Sequence, residues 1–397
     1  MLSLSMIVRD EAERIEACLR SVQGFVDEMV VVDTGSSDAT VAIAEGLGAS
    51  VHRIDWPGDF APARNQALQW VSGDWVLVLD ADERLRPEAR EPLRRLMAEP
   101  DLLLINLLRQ EIGALQSPYS NVSRLFRRHP AIRWSRAYHS LVDDSVAELL
   151  QREPHWQIAD CSEPALLHDG YRPELLAAGD KARRLRQAME AELEQRPNDP
   201  YACAKLGSLE VAEGQRERGI ALLRRGLEHC PAAAHPERYE LLLHLALAET
   251  ERDAATAIGL YRQALVSPLS PRLTLAARLN LAALLLLQGQ LEDAEQLCRQ
   301  ATTVAPEIGL GWYNLGLIRR RRGDIGGALE AYRQAASLSP DHAETHQNLA
   351  VALLLGGDIG GARSGFRQAI QLLQRQGRSA EAEQLQRQAE QLVKLEA

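Results

Sequence analysis

The chain has 397 residues, of which 46% are hydrophobic and 25% are charged, and its formal net charge at pH 7 is -10. This composition is typical of a globular protein with a sizeable buried core and two or three domains. The negative balance argues against non-specific nucleic-acid binding, which needs a basic face, and no apolar run approaches the roughly 18 to 20 residues that would span a bilayer.

The first residues of the chain and its cysteines each support one expectation, about location and about disulfide or zinc sites. Residues 1–8 contain no basic leader or cleavage site and run directly into Arg9, so we expect a cytoplasmic protein. The five cysteines are scattered without a Cys-x-x-Cys pair. They therefore predict neither a disulfide framework nor a thiolate zinc site.

The first half of the chain alternates apolar strands with helices. We predict strands at 2–8, 29–32, 50–54 and 75–79, and helices at 11–23, 38–47 and 62–71. Uniformly apolar strands, each followed by a helix, are typical of a parallel sheet that is buried on both faces. In such sheets ligands bind beyond the carboxyl ends of the strands, and Asp33 and Asp80 each follow a predicted strand.

The segment Asp80-Ala81-Asp82-Glu83 comes directly after the predicted strand at 75–79. Two carboxylates one residue apart can face one hard cation, Mg²⁺ or Mn²⁺, which keeps open positions for the two phosphates of a nucleotide diphosphate sugar. The metal neutralises the leaving diphosphate when the glycosidic bond breaks. An acidic turn after a strand is also common at a solvated surface. The motif is therefore evidence for a metal site only together with the sequence around it.

Four segments occur in one order around this motif: 5–11 (SMIVRDE), 31–38 (VVDTGSSD), 59–68 (DFAPARNQAL) and 80–83 (DADE). In this order and spacing they resemble the family 2 glycosyltransferases, which have the Rossmann-like GT-A fold with a mostly parallel sheet. The resemblance implies that Val8 and Asp10 border the nucleotide and that Asp33 accepts a hydrogen bond from the base. It also implies that Asp80 and Asp82 hold the metal.

The residues themselves support part of this assignment. A carboxylate at a strand end, next to the flexible turn 34–36, suits Asp33 to a uracil-like imide N–H. Arg64 and Asn65 lie early in a predicted helix near the same edge, and we place both at the nucleotide site. Arg64 can bind the diphosphate with its fixed fork of donors, or it can pair with a nearby aspartate.

The general base is harder to identify. An inverting transfer needs a base that deprotonates the acceptor, and in related sequences we expect a basic strand, here 124–128, followed by a His-Glu pair. This chain has His139-Ser140 at that place, so the base is predicted to be His139, Asp143 or Asp144, unless the enzyme is impaired. His139 can instead ligate the metal, touch a phosphate or be structural, and His168 has the same ambiguity.

The second half repeats with a period of 34 residues, which separates Pro197 from Pro231 and Pro306 from Pro340. The clearest copy has small and large apolar residues at regular offsets: Trp312, Leu315, Gly316, Gly323, Ala328, Tyr332 and Ala335. This pattern closely resembles the tetratricopeptide repeat. Small residues let the two helices of a hairpin approach, and each hairpin leaves an apolar face that its neighbour covers.

We therefore predict an α/β GT-A domain at 1–171, a linking helix at 172–199, about five tetratricopeptide repeats at 200–376 and a capping helix at 377–397. The whole chain resembles a bacterial subgroup that fuses these parts and that is similar to peptide S-glycosyltransferases. The resemblance implies transfer of a hexose from a nucleotide diphosphate sugar to a polypeptide or glycan acceptor that the repeats position.

Two other classes of function compete with this one. The first is a non-catalytic scaffold, in which a degenerate transferase domain accompanies repeats whose groove binds a protein partner. Ser140 in place of a carboxylate is its main support. The second is a sugar-phosphate nucleotidyltransferase, which needs a Gly-rich basic loop after the first strand, and the sequence 9–12 (RDEA) offers none.

Overall fold

The computed structural model describes residues 1–114, 117–136, 140–169 and 181–395. The chain divides into two compact units, Met1–His229 and Cys230–Ala397. Every described strand lies in the first unit, and the second unit is helical. No helix among the described residues is long and apolar enough to cross a membrane.

The described strands form one mixed sheet. They are β1 (Leu2–Val8), β2 (Glu28–Asp33), β3 (Ser50–Arg53), β4 (Trp75–Val78), β5 (Glu83–Leu85), β6 (Leu102–Glu111), β7 (Tyr119–Arg127) and β8 (Gln157–His168). Their order across the sheet is β3-β2-β1-β4-β7-β6-β8-β5. Strands β1 to β4 pair in parallel, β7 runs antiparallel to both β4 and β6, β8 is parallel to β6, and β5 is antiparallel to β8.

Five α-helices lie between these strands along the described chain: α1 (Ile15–Val22), α2 (Thr40–Gly46), α3 (Phe60–Ala67), α4 (Arg90–Ala98) and α5 (Asp143–Arg152). Neighbouring residues of β4 serve different cores because side chains alternate along a strand. Leu77 belongs to the core that contains residues of α1, α2 and α4. Val76 belongs to the core that contains residues of α3 and α5. The predicted α/β fold with a buried sheet is therefore confirmed.

The remaining described helices run to the end of the chain. They are α6 (Lys181–Gln195), α7 (Pro200–Ala212), α8 (Arg216–His229), α9 (His235–Glu249), α10 (Ala254–Leu265), α11 (Leu275–Leu287), α12 (Leu291–Val304), α13 (Gly309–Arg321), α14 (Ile325–Leu338), α15 (Ala343–Leu355), α16 (Ile359–Arg375) and α17 (Ser379–Leu392). From α7 to α16 they form five consecutive hairpins. The predicted helical second half is confirmed.

One hairpin shows why the repeat positions carry the residues that they do. Gly323, in the turn between α13 and α14, has a φ of +83°, which glycine adopts at little cost. A Cβ atom added to Gly316 on α13 would lie 2.6 Å from ring carbons of Tyr332 on α14. The two helices can approach this closely because Gly316 has no side chain.

Candidate active site

The carboxyl ends of β1, β2 and β4 meet at one edge of the sheet. Val8 and Asp33 are paired in register at the ends of β1 and β2. Thr34 donates to the carbonyl oxygen of Val8 through its backbone N–H and through its hydroxyl. Asp80 follows β4, which pairs with the other side of β1. The structure thus brings Val8, Asp33 and Asp80 to the same edge.

Asp10 and Asp33 organise the two loops beyond this edge. Asp10 has a left-handed φ of 53°, and its Oδ1 accepts hydrogen bonds from the N–H of Ser37 at 2.7 Å and from the Ser37 hydroxyl at 3.0 Å. The Ser37 N–H is the main reason why the pKa of Asp10 lies below its ordinary value. Asp33 is buried and accepts from the N–H groups of Ser36 and Gly35. Each carboxylate keeps further lone pairs for a ligand.

Asp80 lies between two buried arginines. Arg64 Nη2 donates to Asp80 Oδ1 at 2.6 Å, and Arg124 Nη2 donates to Asp80 Oδ2 at 2.9 Å. Burial raises the pKa of Asp80, but the charges of Arg124 and Arg64 outweigh burial and hold that pKa well below its ordinary value. Asp80 is therefore an anion with both oxygens engaged, and Arg64 takes the second of its two predicted roles, that of pairing with an aspartate.

Trp134 packs against the same arginines. The guanidinium carbons of Arg64 and Arg124 lie 4.8 and 5.8 Å from its ring centroid, so the ring face stabilises both cations. The Asn65 side chain donates to the Trp134 carbonyl at 2.9 Å and accepts from the Trp134 N–H at 2.7 Å. Asn65 thus fixes the segment that carries Trp134.

Asp82 has different neighbours from Asp80. His168 Nε2 is 3.3 Å from Asp82 Oδ2, and His168 Nδ1 is 2.5 Å from Glu111 Oε2. Burial lowers the pKa of His168, but the hydrogen bonds to Asp82 and Glu111 outweigh burial and raise it to about 9. The imidazole is therefore protonated at neutral pH and balances the charge of Asp82.

A chain of buried ion pairs supports this edge. Glu83, whose side chain has no exposed surface, accepts from the Asp80 N–H at 2.9 Å and from Arg109 Nη1 at 2.6 Å. Arg109 Nε donates to Glu111 Oε1 at 2.9 Å, and Glu111 in turn holds His168. Glu83, Arg109 and Glu111 were not predicted as site residues from the sequence. Arg109 and Glu111 are visible there only as charges at the end of the apolar run of β6, and Glu83 only as the last residue of the acidic motif after β4.

The three predicted bases have different surroundings. His139 lies outside the described residues. Asp143 Oδ1 accepts from the Ser123 hydroxyl at 2.9 Å, and partial loss of surrounding water raises the pKa of Asp143. Asp144 accepts from the Ser135 hydroxyl at 2.7 Å and pairs with Arg136 at 3.3 Å. Burial raises the pKa of Asp144, but Ser135 and Arg136 outweigh it, so the net shift is downward.

Asp82 and His168 fit a divalent cation once the cation displaces the proton on His168 Nε2, because only the neutral ring has a lone pair to offer. Asp82 Oδ2 and His168 Nε2 already converge, and Glu111 holds the other ring nitrogen, as outer carboxylates do in metal sites. Among the described residues no group of three or more His, Cys, Asp or Glu is arranged to hold a metal. Substrate phosphates would thus have to complete the coordination. Of the other two predicted ligands, His139 lies outside the described residues, and Asp80 fits a different role because its two oxygens accept from Arg64 and Arg124.

Known proteins resemble both halves of the chain. Residues 3–158 match the family described as glycosyl transferase family 2, and residues 316–357 match a TPR repeat. A TPR repeat-containing protein of Synechococcus elongatus is 46% identical over 309 residues, which cover 77% of this chain and 76% of that protein. An uncharacterized glycosyltransferase of Rickettsia bellii is 32% identical over 154 residues, which cover 36% of this chain and 52% of that protein. The SPbeta prophage-derived glycosyltransferase SunS of Bacillus subtilis is 22% identical over 290 residues, which cover 67% of this chain and 66% of that protein.

Proposed function

This chain belongs to the family 2 glycosyltransferases that carry tetratricopeptide repeats, and from that premise we propose that it is a metal-dependent inverting hexosyltransferase. It takes a hexose from a nucleotide diphosphate sugar and transfers it to a polypeptide or glycan acceptor. The observation that carries the proposal is the meeting of Val8, Asp33 and Asp80 at the carboxyl edge of the parallel strands, where α/β sheets bind ligands.

In this proposal the donor lies across the edge from β2 to β4. Asp33 accepts the imide N–H of the base, and Val8 and Asp10 border the nucleotide. Asp82, and His168 after it gives up its Nε2 proton, would hold Mg²⁺ or Mn²⁺, which when bound would neutralise the diphosphate leaving group. Asp80 keeps Arg64 and Arg124 in place beside it, so the edge retains positive charge close to the phosphates without letting either arginine move.

Asp143 is the general base that the surroundings support best. Asp143 is exposed and accepts a hydrogen bond from Ser123, whereas the Asp144 carboxylate is engaged by Ser135 and by the cation Arg136. Asp143 is therefore the more accessible carboxylate, and its pKa is raised toward the working pH whereas that of Asp144 is lowered. Ser123, which binds Asp143, directly precedes Arg124, which binds Asp80. Asp143 is therefore close to the donor edge in the fold. It replaces the carboxylate that Ser140 does not supply, while His139 stays a candidate base or metal ligand.

The repeats have a supporting role in this proposal. We assign residues 1–171 to catalysis, the helix within 172–199 to linking, residues 200–376 to acceptor positioning and residues 377–397 to capping. A scaffold that binds a protein partner in the repeat groove is the second candidate, and the buried Ser140 at the expected carboxylate position favours it.

Donor hydrolysis separates the two candidates. The full chain is incubated with Mn²⁺ and a panel of nucleotide diphosphate sugars, and released nucleoside diphosphate is measured. The proposal expects one donor to be hydrolysed only with metal, and Asp82→Ala to lower the rate by roughly 100-fold or more. Asp74→Asn is the control, because Asp74 lies just before β4, at the end opposite to Asp80, and its side chain is 73% exposed and pairs with the Met1 amino group. If no donor binds or reacts, the scaffold is the function.

A further inference from the structure

Arg136 has an unusual backbone conformation for a residue with a long side chain. Its φ is 68°, in the left-handed region that residues other than glycine seldom adopt. The side chain is 11% exposed. A residue stays in such a conformation only where its surroundings fix it, so the contacts of Arg136 indicate what the conformation serves.

The Arg136 side chain contacts three helices of the first unit. Nη1 and Nη2 donate to the two carboxylate oxygens of Asp199 at 3.1 and 3.3 Å, the paired arrangement typical of guanidinium and carboxylate groups. Nε donates to Asp144 in the first turn of α5 at 3.3 Å. Nη1 is 3.9 Å from Glu192 of α6, and the guanidinium lies 5.1 Å from the ring centroid of Tyr201 on α7.

Asp199 has a second function at this junction. It is the N-cap of α7, where its side chain accepts from the N–H of Ala202 at 2.8 Å. The same carboxylate thus begins the first helical hairpin, α7 and α8, and binds Arg136. The start of the hairpin is in this way fixed to a loop of the sheet domain by a charged pair that is largely shielded from water.

On the side of the sheet domain, the junction continues to α5. Ser135 and Leu141 exchange two backbone hydrogen bonds, at 2.8 and 2.9 Å. The Ser135 hydroxyl donates to Asp144 Oδ2 at 2.7 Å, on the same carboxylate that binds Arg136. Asp143, the first residue of α5, adjoins this carboxylate. Any movement of Arg136 therefore changes the support of Asp143.

We propose that Arg136 is a positioning residue that ties the beginning of α5, and with it Asp143, to the beginning of the first helical hairpin. The first hairpin is then part of the catalytic unit and not an independent attachment. Arg136 contacts no substrate in this account and acts through Asp144 and Asp199. The inference rests on the proposed function only in the role that it gives to Asp143.

Two substitutions break the junction in different ways. Asp199→Asn keeps a side-chain oxygen that can cap α7 but removes the charge. Arg136→Lys keeps a charge but removes the fork that binds two carboxylates at once. Arg133→Lys is the control, because Arg133 makes a single ion pair with Glu148 at 2.9 Å and both side chains are more than half exposed.

Hydrogen exchange of the full chain without any substrate is the first measurement. Asp199→Asn and Arg136→Lys are expected to speed exchange of the Leu141 amide roughly 10-fold or more, since a hydrogen bond to a charged group is lost. The Ala202 amide should keep its exchange rate in Asp199→Asn. In Arg133→Lys the amides of Leu141 and Ala202 should both keep their exchange rates. Unchanged exchange at Leu141 in both junction variants would overturn the proposal.

Activity then tests the positioning role. In donor hydrolysis water takes the place of the acceptor and is deprotonated by the same base. Both junction variants should therefore lower kcat of metal-dependent donor hydrolysis roughly 10-fold or more and shift its pH profile, with the KM for the donor unchanged. An unchanged kcat, or a change in KM alone, contradicts a positioning role. If even the unaltered chain hydrolyses no donor, the proposed function fails, and the exchange measurement still decides whether Arg136 fixes the junction.

Discussion

The sheet edge and the helical hairpins are stabilised by opposite means. At the edge, charged side chains are buried against one another, as Glu83 is against Arg109. In the hairpins, a residue without a side chain meets a large ring, as Gly316 does with Tyr332. Loss of charge is therefore the damaging change at the edge, whereas added volume is the damaging change in the hairpins.

The largest expected effect is at the edge. Glu83→Ala leaves Arg109 buried beside one carboxylate instead of two and removes the acceptor for the Asp80 N–H, so we expect a loss of about 3 to 5 kcal/mol in the free energy of unfolding. Urea unfolding followed by tryptophan fluorescence measures it. Glu88→Ala is the control, because the Glu88 side chain is 73% exposed, and it should cost less than about 0.5 kcal/mol. Equal costs would show that the buried ion pairs do not stabilise the edge.

The second effect is a pH dependence caused by His168. Its pKa is about 9 in the folded chain, against an ordinary value of 6.5. Since the folded pKa is the higher one, this stabilisation is fully present below pH 6.5 and is lost as pH rises through about 9. We expect the first unit to lose about 2 to 3 kcal/mol of unfolding free energy between pH 6.5 and 9.5. Urea titrations at several pH values measure this loss, and an equally steep fall in His168→Gln would refute the assignment.

The smallest effect concerns volume in a hairpin. Gly316→Ala places a methyl group against the Tyr332 ring and should destabilise the second unit by about 1 to 3 kcal/mol. Gly326→Ala, on the other helix of that hairpin, meets nothing within 4 Å and should stabilise it by up to about 1 kcal/mol. Thermal unfolding measures both variants. If Gly316→Ala and Gly326→Ala shift the melting temperature in the same direction, close packing at Gly316 is not what stabilises the hairpin.

The parts that the sequence predicted are those encoded by local pattern. Apolar runs and their spacing predicted β1 to β4 and the hairpins, and the strand ends located Asp33 and Asp80 because parallel strands share one edge. Of the antiparallel part of the sheet only the strand at 124–128 was predicted, and the ion pairs of its charged residues were not, because they join distant segments. Glu111 and His168, for example, meet across 57 positions. The motif likewise could not show that Asp80 and Asp82 have different neighbours, because those neighbours are distant in the sequence.

We propose that Asp82 and His168 form a metal site that serves a nucleoside diphosphate. Binding of Mn²⁺ to the full chain, measured by electron paramagnetic resonance with and without UDP, GDP or dTDP, tests it most directly. We expect one nucleotide to strengthen Mn²⁺ binding, and Asp82→Ala and His168→Gln each to weaken that binding roughly 10-fold or more, while Asp74→Asn leaves it unchanged. Mn²⁺ binding that is equally strong in all four proteins would contradict the claim.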